Sequence, residues 1–160
     1  MKVVADTSPL CYLVLIDLID LLPNLYDKII IPRAVFNELS APQAPDLVQL
    51  WIANPPDWLE TQIVENQLDV ELSQLDLGEQ EAITLAESIG ADLIILDDKA
   101  GRKIALHRGL RIIGLLGILG VAGQRGLVNL SVAIERLQQT NFRVSPSLLE
   151  SFLERYQDTE

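Results

Sequence analysis

Short, continuous apolar runs alternate along this chain with stretches in which apolar residues return every three or four positions. Val3 to Ala5, Lys28 to Ile31 and Leu93 to Leu96 are runs of the first kind, and Arg111 to Ile113 is a shorter one. Runs of this length that are rich in Val and Ile read as strands buried on both faces. Trp58 to Val64 mixes polar with apolar residues and reads as a strand at a sheet edge.

The helical stretches lie between these strands. Ser8 as N-cap and Pro9 at the first helical position open a helix from Leu10 to Ile16, and a short one follows over Asp17 to Leu22. A helix starting at Pro32 carries Ala34, Val35, Glu38 and Leu39 at helical spacing. Pro42 and Pro45 bracket a turn before a helix over Asp46 to Ala53, and Asn54-Pro55-Pro56-Asp57 is a loop. Asp69 to Leu77 is polar and has no clear period. Glu79 to Ile89 is amphipathic and stops at Gly90, a natural C-cap. Lys99 to His107 is a helix with a basic face, closed by Gly109. Leu115 to Ala122, Val128 to Gln139 and Pro146 to Tyr156 complete the series.

Strands alternating with helices imply an α/β fold, with helices sandwiching a parallel sheet of four or five strands. No repeat or long linker divides residues 1–160, so one domain is expected. In such sheets ligands bind beyond the carboxyl ends of the strands. Asp6 and Asp97 each follow a strand directly.

Composition narrows the chemistry. Apolar residues make up 49% of the chain, enough for a sizeable core. A single cysteine, Cys11, excludes an intrachain disulfide and a cysteine-built zinc site, and fits a reducing compartment. Cys11 itself lies among apolar residues and is expected to be a buried, inert thiol. No secretory signal opens the chain. Asp17 and Asp20 interrupt the apolar stretch Leu10 to Leu22, and Ile112 to Gly123 is too short to span a bilayer. The expectation is a cytoplasmic protein without a membrane partner. The formal net charge of −11 argues against broad, charge-driven binding to phosphate backbones. An enzyme that meets its substrate through bound cations tolerates it, because the metal supplies local positive charge.

The acids are the candidate chemistry. Asp6 follows the first strand, Glu38 lies in the helix after the second, Glu79 stands at a helix start, and Asp97 with Asp98 follows the fourth strand. Magnesium and manganese prefer hard oxygen ligands, and a few carboxylates plus waters satisfy them. Ions held there activate water and stabilise a phosphodiester under in-line attack. Such chemistry needs no histidine or thiol, and the chain has one of each.

Four segments carry a resemblance: Val-Val-Ala-Asp-Thr-Ser-Pro-Leu, Ile-Ile-Ile-Pro-Arg-Ala-Val-Phe-Asn-Glu-Leu, Gly-Glu-Gln-Glu-Ala-Ile-Thr-Leu-Ala and Leu-Ile-Ile-Leu-Asp-Asp-Lys-Ala-Gly-Arg. Together they resemble the PIN-domain family, in particular the VapC-like toxins and relatives whose first motif reads Asp-Thr-Ser-Pro. The resemblance runs from about Met1 to Leu119. It implies a sandwich of helices around a parallel sheet, dependence on Mg2+ or Mn2+, and endonucleolytic cleavage of RNA. It also implies a homodimer and, for the toxin branch, inhibition by a small antitoxin. Carried over by residue, Asp6 is the first metal carboxylate with Ser8 its neighbouring hydroxyl, Glu38 the second acid, and Asp97 the last, with Asp98 beside it. For the third acid the family places an Asp roughly eighteen residues ahead of the final one. Glu79 fits that distance and Glu81 competes with it.

Blander readings stand beside these. Asp6 with Ser8, and Asp97 with Asp98, have the composition of helix caps. Glu79 and Glu81 lie in a first helical turn, where the helix dipole favours acids. Lys99, Arg102, Lys103 and Arg108 form either a solvated face or a set of phosphate contacts. His107 reads as a surface residue near a helix end. The glycines at 114, 117, 120 and 123 lack the following Gly-Lys-Ser/Thr of a phosphate loop and suit close helix packing. Trp51 and Trp58 read as core or interface anchors. A phosphatase of the Asp-x-Asp type is disfavoured, because Ser8 stands where its second Asp belongs. A PIN-like module that binds protein without catalysis is the rival from another functional class.

Overall fold

The structure is a computed structural model that describes residues 1–65 and 69–157. Five strands form one parallel sheet in the order β3-β2-β1-β4-β5. They are β1 (Val3–Ala5), β2 (Ile29–Pro32), β3 (Leu59–Gln62), β4 (Leu93–Ile95) and β5 (Ile112–Ile113). β3 stands at an edge, as its mixed composition implies. The three central strands are buried on both faces, so they show continuous apolar runs instead of alternation.

Residue parity sorts the two faces. Val3, Ala5, Ile29, Ile31, Leu93 and Ile95 point into one core layer, with α1 (Thr7–Leu15), α2 (Leu21–Tyr26), α3 (Arg33–Ser40), α4 (Asp46–Ala53), α7 (Leu115–Gln124) and α8 (Leu130–Gln138). Val4, Ile30, Ile94 and Leu96 point into the other, with α5 (Leu77–Ser88) and α6 (Lys99–His107). Successive side chains of a strand take opposite faces, and each face here is covered by helices. The result is a three-layer α/β sandwich. The last described helix, α9 (Pro146–Gln157), packs Leu149, Phe152 and Leu153 against the first layer.

Several boundaries differ from those read along the sequence, mostly by the one to three residues that fraying ends allow. α1 begins at Thr7 and not after Ser8, because Asp6 holds the extended N-cap conformation. Ser8 is therefore inside the helix and caps nothing. The second helix starts at Leu21, after Asp17 takes a positive φ of 60° that interrupts the chain between the two helices. Pro32 ends β2 instead of opening α3. α5 starts two residues before Glu79, with Asp76 as a side-chain cap accepting from the Glu79 N–H at 2.9 Å. A short 3-10 turn, Leu72–Gln74, buries Leu72 within the stretch that showed no period. The apolar residues Leu10, Leu13, Ile16, Leu21 and Leu22 fill the core.

The glycines of α7 and its N-cap do admit close neighbours. A β-carbon at Gly120 would meet the Tyr156 ring, at Gly123 the Leu130 side chain, and at Gly117 the Ile113 side chain. Among the described residues, no helix is long and apolar enough to cross a membrane.

Candidate functional site

The strand order reverses direction between β1 and β4: β2 and β3 lie on one side, β5 on the other. A crevice opens at the carboxyl ends of the strands at such a point. Asp6 leaves β1 there, and its backbone N–H donates to the Ile95 carbonyl at 2.9 Å, which ties it to β4. Its side chain is 4% exposed, and Asp6 is the only charged residue so deeply buried among the described residues. Asp6 Oδ1 is buried with no hydrogen-bond partner among them. Burial pushes the Asp6 carboxyl up to about 7, the Thr7 N–H opposes this, and Asp76, Glu38 and Asp98 add repulsion.

Four further acids surround it, brought in by α3, α5 and α6. Glu38 projects from α3, and the Thr7 hydroxyl donates to Glu38 Oε2 at 3.3 Å. The absent side chain of Gly78 makes the room, since a β-carbon there would overlap the Glu38 carboxylate. Burial raises the Glu38 carboxyl, and Asp76 adds to the rise. Glu79 lies in the first turn of α5. Burial, then repulsion from Asp76, Asp98 and Asp6, pushes it up to about 8. Asp76 and Asp98 are N-caps of α5 and α6, and Asp98 Oδ2 accepts from the Gly101 N–H at 2.8 Å. Each cap spends one carboxylate oxygen on its helix and still faces the others, so capping and membership of the cluster coexist.

Asp97 turns elsewhere. Its Oδ1 accepts from the Leu115 N–H at 3.0 Å, at the start of α7. Gly114 lies directly beneath: a β-carbon there would come within 2.5 Å of Asp97 Oδ1 and 2.8 Å of Arg102 Nη1. Burial raises the Asp97 carboxyl, while the Leu115 N–H and the Arg102 guanidinium pull it down. Its Oδ2 is buried without a hydrogen-bond partner among the described residues. Parity accounts for the split. Asp98 continues the face of Ile94 and Leu96, as Asp6 continues that of Val4, whereas Asp97 continues the face of Leu93 and Ile95 toward α7.

Glu81 is also occupied. Its Oε1 accepts from the Ala34 N–H at 3.1 Å. α3 has Pro32 at its N-cap position and no side-chain cap of its own. Glu81 of α5 therefore caps α3, the helix that carries Glu38.

The other candidates are spread around this centre. Ser8 is half-buried in the first turn of α1. Lys99 and Lys103 are exposed on α6, and Arg102 is half-buried beside Asp97. Arg108 is not a free phosphate contact. Its guanidinium holds Asp69 at 2.8 Å, Glu71 at 2.9 Å and Glu87 at 2.7 Å. His107 is exposed at the end of α6, and Trp51 and Trp58 are half-buried with ring centroids 6.0 Å apart. Cys11 is half-buried and lines a cleft beside Glu38, so it is less enclosed than its apolar neighbours suggested.

Sequence reasoning missed Asp76. The signal was present, because Asp76-Leu77-Gly78-Glu79 has an acid cap followed three residues on by Glu, the pattern of a helix start.

Among the described residues, no group of three His, Cys, Asp or Glu side chains is arranged to hold a metal ion as it stands. The donor set and the orphaned Asp6 oxygen nonetheless fit a hard cation. Magnesium keeps several waters and takes only one or two carboxylates from the protein.

No curated relative and no solved structure matches the chain significantly. The family DUF3368, described as a PIN domain, matches residues 2–158. PIN domains are generally nucleases and typically use divalent metals. With the sheet, the crevice and its acids in place, this match over nearly the whole chain shows that the protein belongs to the PIN-domain family.

Proposed function

We propose that this chain is a Mg2+- or Mn2+-dependent endoribonuclease and the toxin half of a toxin–antitoxin pair. One observation carries the metal reading: a buried carboxylate, Asp6, leaves one oxygen unpaired, and the charged groups acting on it, Asp76, Glu38 and Asp98, are all acids. Isolated from any cation, that arrangement is costly. Asp6, Glu79 and Asp98 are the residues that would hold an ion, with Glu38 and Asp76 beside them. When bound, the ion supplies the positive charge that lets water lose its proton near neutral pH and offsets charge on the phosphodiester.

The chain's own groups do the positioning. Asp6 is held by its strand end, and the Thr7 hydroxyl and the space over Gly78 keep Glu38 turned inward. Asp97 anchors the start of α7 and steadies Arg102, whose guanidinium with Lys99 and Lys103 is a suitable contact for flanking phosphates. Ser8 offers a hydroxyl in the first turn of α1. Three of the chain's twelve Lys and Arg residues lie within five positions here, which suits contact with a short stretch of RNA.

The toxin assignment rests on the Asp6-Thr7-Ser8-Pro9 motif, and a homodimer on Leu47 and Leu50, 57% and 69% exposed on α4. Purified protein given RNA and manganese should cleave it, and Asp6→Asn should not. Equal cleavage by both rejects the metal site. Manganese calorimetry separates a decayed, protein-binding module, which takes up no ion. A small partner encoded alongside should silence cleavage on co-purification, and sedimentation reads the oligomer.

A further inference from the structure

A cleft of about 440 Å3 opens beside the acid cluster, between α1, α3 and the start of α4. Cys11, Ala34, Leu39 and Val48 give it an apolar lining. Thr7 and Glu38 line it as well, so its mouth is continuous with the crevice in which Asp6 lies. Asn37 and Gln43 also line it, and their side-chain amides make no hydrogen bond among the described residues. Its volume falls within the range of small-molecule sites, about 300–1,000 Å3.

Resting on the ribonuclease reading above, we propose that this cleft receives one unpaired nucleobase of the RNA, next to the scissile phosphate, and sets base preference. Charge selects this occupant. The lining contains no cation and one carboxylate, Glu38, so it repels a phosphate and accepts a neutral group. A nucleobase is neutral, flat and apolar on its faces, with donors and acceptors on its edge. Sequence-specific recognition of RNA characteristically splays unpaired bases out and hydrogen-bonds their edges. Amides supply both a donor and an acceptor, so Asn37 and Gln43 can read that edge. Apolar walls alone discriminate bases poorly, whereas an amide that the bound base shields from water penalises the wrong edge. The strand then runs from the base in the cleft to the phosphate over the acids, without crossing the sheet.

Backbone amide NMR spectra taken without metal, with each of the four ribonucleosides at millimolar concentration, test this independently of cleavage. The expected result is a shift at Ala41, Ala44 and Val48 for some nucleosides more than others. Ala44→Leu, which fills the cleft, should abolish it, and Asn37→Ala should flatten the differences. On RNA with manganese, Asn37→Ala should change the ratio of cleavage between preferred and other bases about tenfold, the loss of one well-placed hydrogen bond. Absence of any nucleoside shift at these residues in the parent protein overturns the proposal, even if RNA is cut. If nucleosides bind there and RNA is never cut, the ribonuclease reading fails and the base site stands.

Discussion

The Glu38 carboxylate fills the space where a Gly78 β-carbon would stand. An acid from α3 thus reaches the first turn of α5, and only glycine permits the approach. Gly78→Ala should push Glu38 out of the crevice. Alanine favours a helix by about 1 kcal/mol over glycine, which offsets part of an overpacking cost of about 1–3 kcal/mol. The expected outcome is a near-normal melting temperature with RNA cleavage reduced at least tenfold. Paired melting curves and initial rates decide it; unchanged cleavage shows that Glu38 has no need of this position.

The two glutamates of α5 should separate by chemistry. Glu81→Gln keeps an oxygen for the Ala34 N–H, so folding, manganese uptake and cleavage should all persist. Glu81→Ala leaves the start of α3 uncapped and should cost about 1–2 kcal/mol in urea unfolding. Glu79→Gln should instead weaken manganese binding without a comparable loss of stability. Loss of metal uptake in Glu81→Gln would assign Glu81 to the ion.

Metal-free protein should lose stability as pH rises. A carboxyl whose folded value lies above its unfolded one binds protons that the unfolded chain releases. Its stabilising effect is complete below about pH 4 and lost as pH rises through the folded value. For Asp6 that value is about 7, and Glu79 extends the window toward about 8. Asp6 alone is worth on the order of 4 kcal/mol across this range. Asp6→Asn removes its share, so in EDTA the variant should gain on the parent between pH 5 and 8. Manganese at pH 8 should close that gap by restoring the parent. A gap independent of pH would contradict the burial of Asp6.

Arg108 joins the segment before α5, through Asp69 and Glu71, to the end of α5 at Glu87. Three acids compete for one guanidinium, so Arg108→Ala leaves them mutually repelling. Because the group is partly open to solvent, the loss should be modest, about 1 kcal/mol, and shrink in high salt. Cleavage should be unchanged, since none of the three acids belongs to the crevice. A salt-independent loss would point to packing of the arginine stem.

Much of the fold was legible because the central strands are covered on both faces, leaving Val3-Val4-Ala5 and Leu93-Ile94-Ile95 as uninterrupted apolar words. The acids after them were legible for the same reason: an Asp that ends such a word lies at the carboxyl edge of the sheet. What stayed hidden depends on single-residue direction. Adjacent strand residues face opposite layers, so Asp97 and Asp98 part company, and only parity with Asp6 tells which faces the crevice. Asp76 was obscured because a cap reads as local punctuation, although its carboxylate also faces the cluster. Glu81 could not be told from Glu79 by spacing, since its partner is a backbone amide 47 positions away.

The central place of β1, flanked by β2 on one side and β4 on the other, also sets an order of assembly. On a growing chain Asp6 is made 92 positions ahead of Asp98. A chain interrupted before that point holds Asp6 without the strand that ties it down and without Asp98. The crevice with all five acids exists only once Asp98 has been made, and no nascent fragment ending before it carries the set.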